Sequence, residues 1–262
     1  MLVEAFAGID LAVAKSKRLP ISVCTWRDGA LAPFPVRTLR GLAPPRGRGN
    51  AAVLNQRAVH DFCIETLNYL VGLEERLGVR IVRVAIDAPS AQCAEDRARR
   101  SAEIAMDERR ISCFPTPNGR QVELIRARAR AHLEAGGAES RIPHANQLWM
   151  LLGFVLFQVL GERFECLEVY PQATARTLGV GSIHKRHTSG VEEQLGAVSR
   201  YTKWPIPPVV AALKPIAFAP AHDCLDAYLA AWVTALPLDQ REACGSQPYD
   251  VIWLPRIPRH GT

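Results

Sequence analysis

Asp10 closes an apolar N-terminal run, Ala7-Gly8-Ile9-Asp10-Leu11-Ala12, and Asp87 closes a second, Val82-Arg83-Val84-Ala85-Ile86-Asp87-Ala88-Pro89. Two more acids, Asp223 and Asp226, open an apolar helical stretch that starts at His222. Asp is depleted in strands and costly to bury without a partner. Four acids in such settings suggest carboxylates gathered to hold hard cations, and Mg²⁺ or Mn²⁺ with oxygen ligands is the chemistry they suit. Asp223 and Asp226 are three apart, so a helix presents both on one face. Two cations about 4 Å apart would neutralise four carboxylates and clamp the attacking and leaving oxygens of a phosphodiester. Asp10, central in this set, is the natural bridging ligand, and no dedicated protein base is needed. The plainer reading makes Asp223 a helix-start residue favoured by the helix dipole, with Asp10 and Asp87 as hydrogen-bonded structural acids.

A second tier of candidates surrounds these four. Glu168 lies in a short apolar stretch before Pro171. It could add a metal ligand or hold an Arg or Lys behind the site, or simply face solvent. Arg100 and Glu103 have the spacing of a helix ion pair, and Arg100 is alternatively a phosphate contact. Lys185 and Arg186, in the run His184-Lys185-Arg186-His187, are basic enough to meet phosphate. The two histidines of that run lack partners for a zinc site. From Arg97 to Arg141, ten Arg stand against six acids, so much of the net charge of +6 comes from this stretch. A basic rim drawn from it and from residues 184–187 would attract a polyanion such as nucleic acid.

The elements that must position these residues can be read from periodicity. Apolar runs at 3–14 and 20–26 read as strands. The Arg27-Asp28-Gly29 turn leads to a third strand around 30–39, since Asp-Gly between apolar runs is a hairpin signal. Helical spacing of Val59, Phe62, Thr66, Leu70, Leu73 and Leu77 predicts a helix over 56–77 stopped by Gly78. The near-continuous apolar run 79–87 predicts a central strand covered on both faces. Helices are expected at about 91–109, 120–135 and 145–160, a strand at 164–170 and a last helix at about 222–236. This is an α/β order: an antiparallel meander at one edge, then crossover strands beside the first. Residues 1–262 read as one domain, and 91–163 reads as a helical insertion packed on the same sheet.

The chain has 262 residues, 48% hydrophobic and 22% charged, which is globular composition. Its longest apolar run, Leu148 to Leu160, is too short for the ~20 residues of a membrane span. Seven cysteines without a Cys-x-x-Cys spacing suggest reduced thiols and a cytoplasmic setting. Glu4 and Asp10 interrupt the N-terminal apolar stretch, so no signal peptide is expected.

Taken together, the motifs carry a resemblance. They are Gly8-Ile9-Asp10, Ile86-Asp87-Ala88-Pro89, Arg100-x-x-Glu103 and Ile111-Ser112-Cys113-Phe114-Pro115-Thr116-Pro117, followed by Trp149 and Glu168-Val169-Tyr170-Pro171. The last is His222-Asp223-x-x-Asp226-Ala227-x-x-Ala230-Ala231-Trp232. The chain resembles the family of RNase H-like nucleases filed as domain of unknown function 429, over residues 7 to 235. Its closing Asp-x-x-Asp-Ala is also similar to that of Holliday-junction resolvases. The resemblance implies an RNase H-like fold and a metal-dependent nuclease. Gln172 departs from the pattern, which has an acid at this point in many relatives. Two other readings remain open: a non-catalytic module that binds nucleic acid or protein, and an ATPase or kinase of the actin-like superfold. The latter also opens with Gly-Ile-Asp but needs glycine-rich phosphate turns, for which Gly179-Val180-Gly181-Ser182 is the lone candidate.

Overall fold

The structure is a computed structural model that describes residues 2–183, 187–248 and 250–257. Strands β1 (Val3–Asp10), β2 (Ile21–Arg27) and β3 (Ala30–Pro33) form the expected antiparallel meander. Asp28 and Gly29, at φ of 51° and 76°, make its tight turn, a conformation that suits Asp-Gly. Helix α1 (Gln56–Leu77) is capped by Asn55, whose side chain accepts the Ala58 N–H at 3.1 Å. Gly78 ends α1 in the left-handed conformation, and the chain passes directly into β4 (Val79–Asp87). Helices α2 (Ser101–Glu108), α3 (Gly119–Glu134) and α4 (Ala145–Gly161) lead to β5 (Glu165–Glu168). Next come α5 (Pro171–Thr177), α6 (Thr188–Thr202) and α7 (Ala221–Ala235), and then a hairpin of β6 (Arg241–Ser246) and β7 (Asp250–Pro255).

The five-stranded mixed sheet has the order β3-β2-β1-β4-β5, with β1, β4 and β5 parallel. Its two faces are covered differently. Ile9, Val84 and Ile86 pack with Phe62 and Leu70 of α1 and Leu148 and Leu152 of α4. On the other face Phe6 and Cys24 pack with Leu225, Tyr228 and Trp232 of α7 and Leu195 of α6. Burial on both faces accounts for the unbroken apolar character of β1 and β4.

Three expectations need correction. The third strand ends at Pro33 rather than reaching 39, because Pro33 and Pro35 offer no N–H to a ladder. The helix expected from 91 begins only at Ser101. Residues 91–100 instead form a loop, bridged to the chain ahead of α3 through Cys93 and Asn118. The insertion is also divided. Helix α4 lies in the main core, but Ala102 and Met106 of α2 pack with Cys244, Ile252 and Leu254 of the C-terminal hairpin, a contact that periodicity does not reveal.

Gly8 fixes the position of α7. A Cβ there would overlap Ala227 O and Ala231 N, so backbone meets backbone at this crossing. Gly8→Ala would push α7 off β1. The expected cost is ~1–3 kcal/mol, as for other overpacked sites, seen as a lower melting temperature. An unchanged melt would show that the helix can yield at no cost.

Candidate active site at the carboxyl edge of the sheet

The three parallel strands end on acids: β1 on Asp10, β4 on Asp87 and β5 on Glu168. In open α/β sheets this carboxyl edge is where ligands bind. Asp10 and Asp87 are direct partners in the β1–β4 register. Partners on neighbouring parallel strands point to one face, and alternation puts Asp10 on the face of Gly8, which is the face of α7. Ala85 likewise shares a cluster with Ala230 and Val233 of α7, so Asp87 points the same way. Helix α7 runs antiparallel to β1, and its first turn comes to the Asp10 end of the strand. Burial pushes the Cys224 thiol up to about 11, and the nearby charges of Asp223 and then Asp10 add to it. The positive end of the helix dipole is therefore turned toward the acids.

Asp223 is buried in this first turn and Asp226 in the turn that follows. Asp223 accepts from Lys17 Nζ at 2.7 Å, and His222 Nε2 lies 3.0 Å from its other oxygen. Asp10, Asp87 and the acid-bearing turn of α7 are thus brought to one edge and one face.

Glu168 is paired with Ile86 in the register, so it faces the opposite side of the sheet. It is buried rather than solvent-facing. Arg100 grips it in a bidentate pair, Nη1 and Nη2 each donating at 2.8 Å, and the Ser90 N–H donates at 2.8 Å. The guanidinium is completed by Asp250 at 3.0 Å from Nε. Arg100 therefore neither pairs through its side chain with Glu103 nor offers a free guanidinium to phosphate. Glu103 serves backbone and Arg99 instead, accepting from the Thr116 N–H at 2.7 Å, the Arg100 N–H at 3.3 Å and Arg99 Nε at 3.5 Å. Burial pushes the Glu168 carboxyl up, while Arg100 and Ser90 pull against it. For Arg100, burial favours loss of the proton, but Glu168 and Asp250 outweigh it and raise the pKa. Asp250 is held below its ordinary value because the N–H groups of Ser101 and Ala102, with Arg100, overcome burial.

Above this pair is a pocket open to solvent. Asp87 and Pro89 line it, with Arg100, Glu168, and the aromatic rings of Phe114, Trp149 and Tyr170. Every motif between Asp87 and Tyr170 that carries the family resemblance contributes to this one wall. Asp250 cannot be found from sequence, since nothing in the C-terminal stretch marks it as Arg100's partner. Gln172, where many relatives have an acid, lies 3.1 Å from Tyr170 Oη.

Five of the ten arginines in the basic stretch are matched within the chain, whereas Arg97, Arg110, Arg128, Arg130 and Arg141 are exposed with no ion pair among the described residues. Arg99, Arg109, Arg120 and Arg126 each face a carboxylate, as Arg100 does. Lys185 and Arg186 lie outside the described residues. Gly179 and Gly181 follow helix α5 rather than a strand. Among the described residues no helix is long and apolar enough to cross a membrane. Nor do three or more His, Cys, Asp or Glu side chains there form a group that could hold a metal ion.

No curated protein and no solved structure matches the chain. The family model described as "Protein of unknown function (DUF429)" matches residues 45–251, a span that begins after Asp10 and takes in Asp87, Arg100, Glu168, Asp223, Asp226 and Asp250. The chain belongs to the DUF429 family.

Proposed function

We propose that this protein is a divalent-metal-dependent phosphodiesterase acting on nucleic acid, with an RNase H-like fold. The observation that carries the reading is the Asp10–Asp87 pair, in register at the carboxyl ends of adjacent parallel strands and facing the acid-bearing start of α7. The strand order β3-β2-β1-β4-β5 with β2 antiparallel is that of the meander-plus-crossover arrangement expected from sequence.

The donor set suits a hard cation. Mg²⁺ commonly takes one or two carboxylates and completes its shell with water and substrate phosphate, so a pair is enough and no preassembled cage is required. Asp10 and Asp87 would hold the ion, and Asp223 and Asp226 would serve it from α7. When bound, the cation supplies charge neutralisation at the phosphate and a more acidic water. The chain's own part is to hold the Asp10 and Asp87 carboxylates on one face and to fix α7 through the Gly8 crossing. Lys17 keeps Asp223 anchored and moderates the negative charge near the site.

Metal titration followed by a substrate panel tests this. Mg²⁺ or Mn²⁺ should raise the melting temperature, because a ligand of the native state stabilises it by ~2.7 kcal/mol at a hundredfold excess over its Kd. That corresponds to a rise of roughly 5–10 °C for a chain of this size. Binding stoichiometry reads one ion from Asp10 and Asp87 alone, or two if the α7 acids hold a second. Single-stranded, duplex, hybrid and branched substrates should then show cleavage that a chelator stops. Neither a shift nor cleavage would leave the binding-module reading in its place.

A further inference from the structure

We infer that the open pocket formed by Lys17, Arg18, Arg37 and Arg46 beside the start of α7 binds the phosphate backbone of a nucleic-acid strand. The pocket is lined by these four cations together with Phe218 and Pro220. That the anion is nucleic acid rests on the phosphodiesterase reading above; the site itself rests on separate observations.

The first is how the chain builds it. Residues 17–19 and 45–47 pair as a short antiparallel ladder: Gly47 N–H donates to Lys17 O at 2.9 Å, and Leu19 N–H donates to Pro45 O at 2.9 Å. Arg18 and Arg46 are the bridged pair between these bonds. Like charges placed opposite each other on paired strands are destabilising unless an anion lies between them. Gly47 also lets this segment lie against residues 13 and 14, since a Cβ there would overlap the backbone of Val13 and Ala14.

The second observation is charge balance. Arg37 and Arg46 are exposed and have no ion-pair partner among the described residues, and no carboxylate lines the pocket to balance its four cations. Arg37 is brought to the pocket by its N–H, which donates to Pro215 O at 3.0 Å. Arg18 is held by Pro44 O at 2.7 Å and lies over the Phe218 ring, which leaves the rest of its guanidinium for a ligand. This cluster at 17–46 is basic surface that the arginine run at 97–141 does not point to.

The third is position. Lys17 lines the pocket and also bonds Asp223, so the cations border the proposed metal site directly. Asp87, on the far side of Asp10, lines the aromatic pocket. A strand whose phosphates follow the four cations is led to the Asp10–Asp87 edge.

Binding is measured in chelator, so that cleavage plays no part, by fluorescence anisotropy of labelled single-stranded and duplex DNA and RNA oligonucleotides over a salt series. The proteins are wild type, Arg37→Ala/Arg46→Ala, Arg37→Glu and Arg80→Ala, the last an exposed cation at the opposite end of β4. Both pocket arginines are exposed, so the melting temperature should hold. The double variant should bind at least ~10-fold more weakly at low salt. Its salt slope should be shallower by about 0.7 per lost contact on a single strand, or about 0.9 on a duplex. Arg37→Glu should lose more than a single neutralisation, and Arg80→Ala should match wild type. Unchanged affinity and slope in the double variant, an equal loss in Arg80→Ala, or anionic vesicles bound in preference to every oligonucleotide would overturn the inference. So would wild type failing to bind any oligonucleotide. Binding that depends on Arg37 and Arg46 without cleavage under any metal keeps this inference and removes the proposed activity. Cleavage with undiminished affinity in the double variant does the reverse.

Discussion

Asp10→Asn should abolish metal-dependent cleavage while leaving the fold intact. The change keeps the shape and one oxygen acceptor but removes the charge that Asp10 contributes beside Asp87 at the sheet edge. Electrostatic stabilisation by a bound cation is worth several kcal/mol in a transition state. A loss of ~10²–10⁴-fold in rate follows, at about 1.36 kcal/mol per tenfold. Stability should be unchanged or slightly higher in the metal-free protein, because one member of a like-charge cluster is gone. The metal-induced rise in melting temperature should shrink in parallel with activity. Side-by-side assays of wild type and Asp10→Asn, each with Mg²⁺, Mn²⁺ and chelator, read both effects. Equal cleavage by the two proteins would assign the activity to a contaminant, and equal metal stabilisation would remove Asp10 from the site.

The meeting of Asp10 and Asp87 is legible in the sequence, because each ends an apolar run and the element order puts those runs side by side. The same holds for α7, whose i, i+3 acids at the start of an apolar helix are the buried Asp223 and Asp226 of the structure. What is not legible depends on contacts between residues far apart in the chain. Arg100 meets Glu168 and Asp250 across 68 and 150 positions, and no local pattern records either pairing. Local spacing instead suggests Arg100 with Glu103, whose carboxylate is occupied by backbone N–H groups. Charge density is a partial guide in a similar way. A run of arginines implies a basic face only where its counter-charges lie elsewhere, and here five of the ten face carboxylates of the chain. The cations of the pocket beside α7 come from three separate segments, two of them joined by a bridge between Arg18 and Arg46 that composition does not reveal.

Arg100→Met should be more destabilising than Gly8→Ala or Asp10→Asn, costing ~3–5 kcal/mol, the range for removing one partner of a buried ion pair. Arg100 is 4% exposed and Glu168 6% exposed, so water cannot replace the lost guanidinium. Glu168 would keep the N–H and side-chain hydrogen bonds of Ser90, and Asp250 would keep the Ser101 and Ala102 N–H groups at 2.6 Å and 3.3 Å, but neither would keep a cation. The loss has a defined pH dependence. Burial already pushes Glu168 above its ordinary value of 4.5, and removing Arg100 takes away the main pull in the other direction. In the variant the folded state therefore keeps a proton on Glu168 at pH values where the unfolded chain has released it. Stability must then fall as pH rises above about 4.5 and level off only above the raised folded value. Thermal melts from pH 4.5 to 8 should show the gap between wild type and Arg100→Met widening with pH. Arg100→Met/Glu168→Leu, which removes both charges, should recover much of the loss and its pH dependence, since a buried ion pair can often be replaced by apolar packing at little cost. A variant that melts like wild type at every pH but binds oligonucleotide poorly would instead make Arg100 a phosphate contact and the ion pair incidental. The double variant separates the two roles, because restored stability without restored cleavage would leave Arg100 a further task at the mouth of the aromatic pocket.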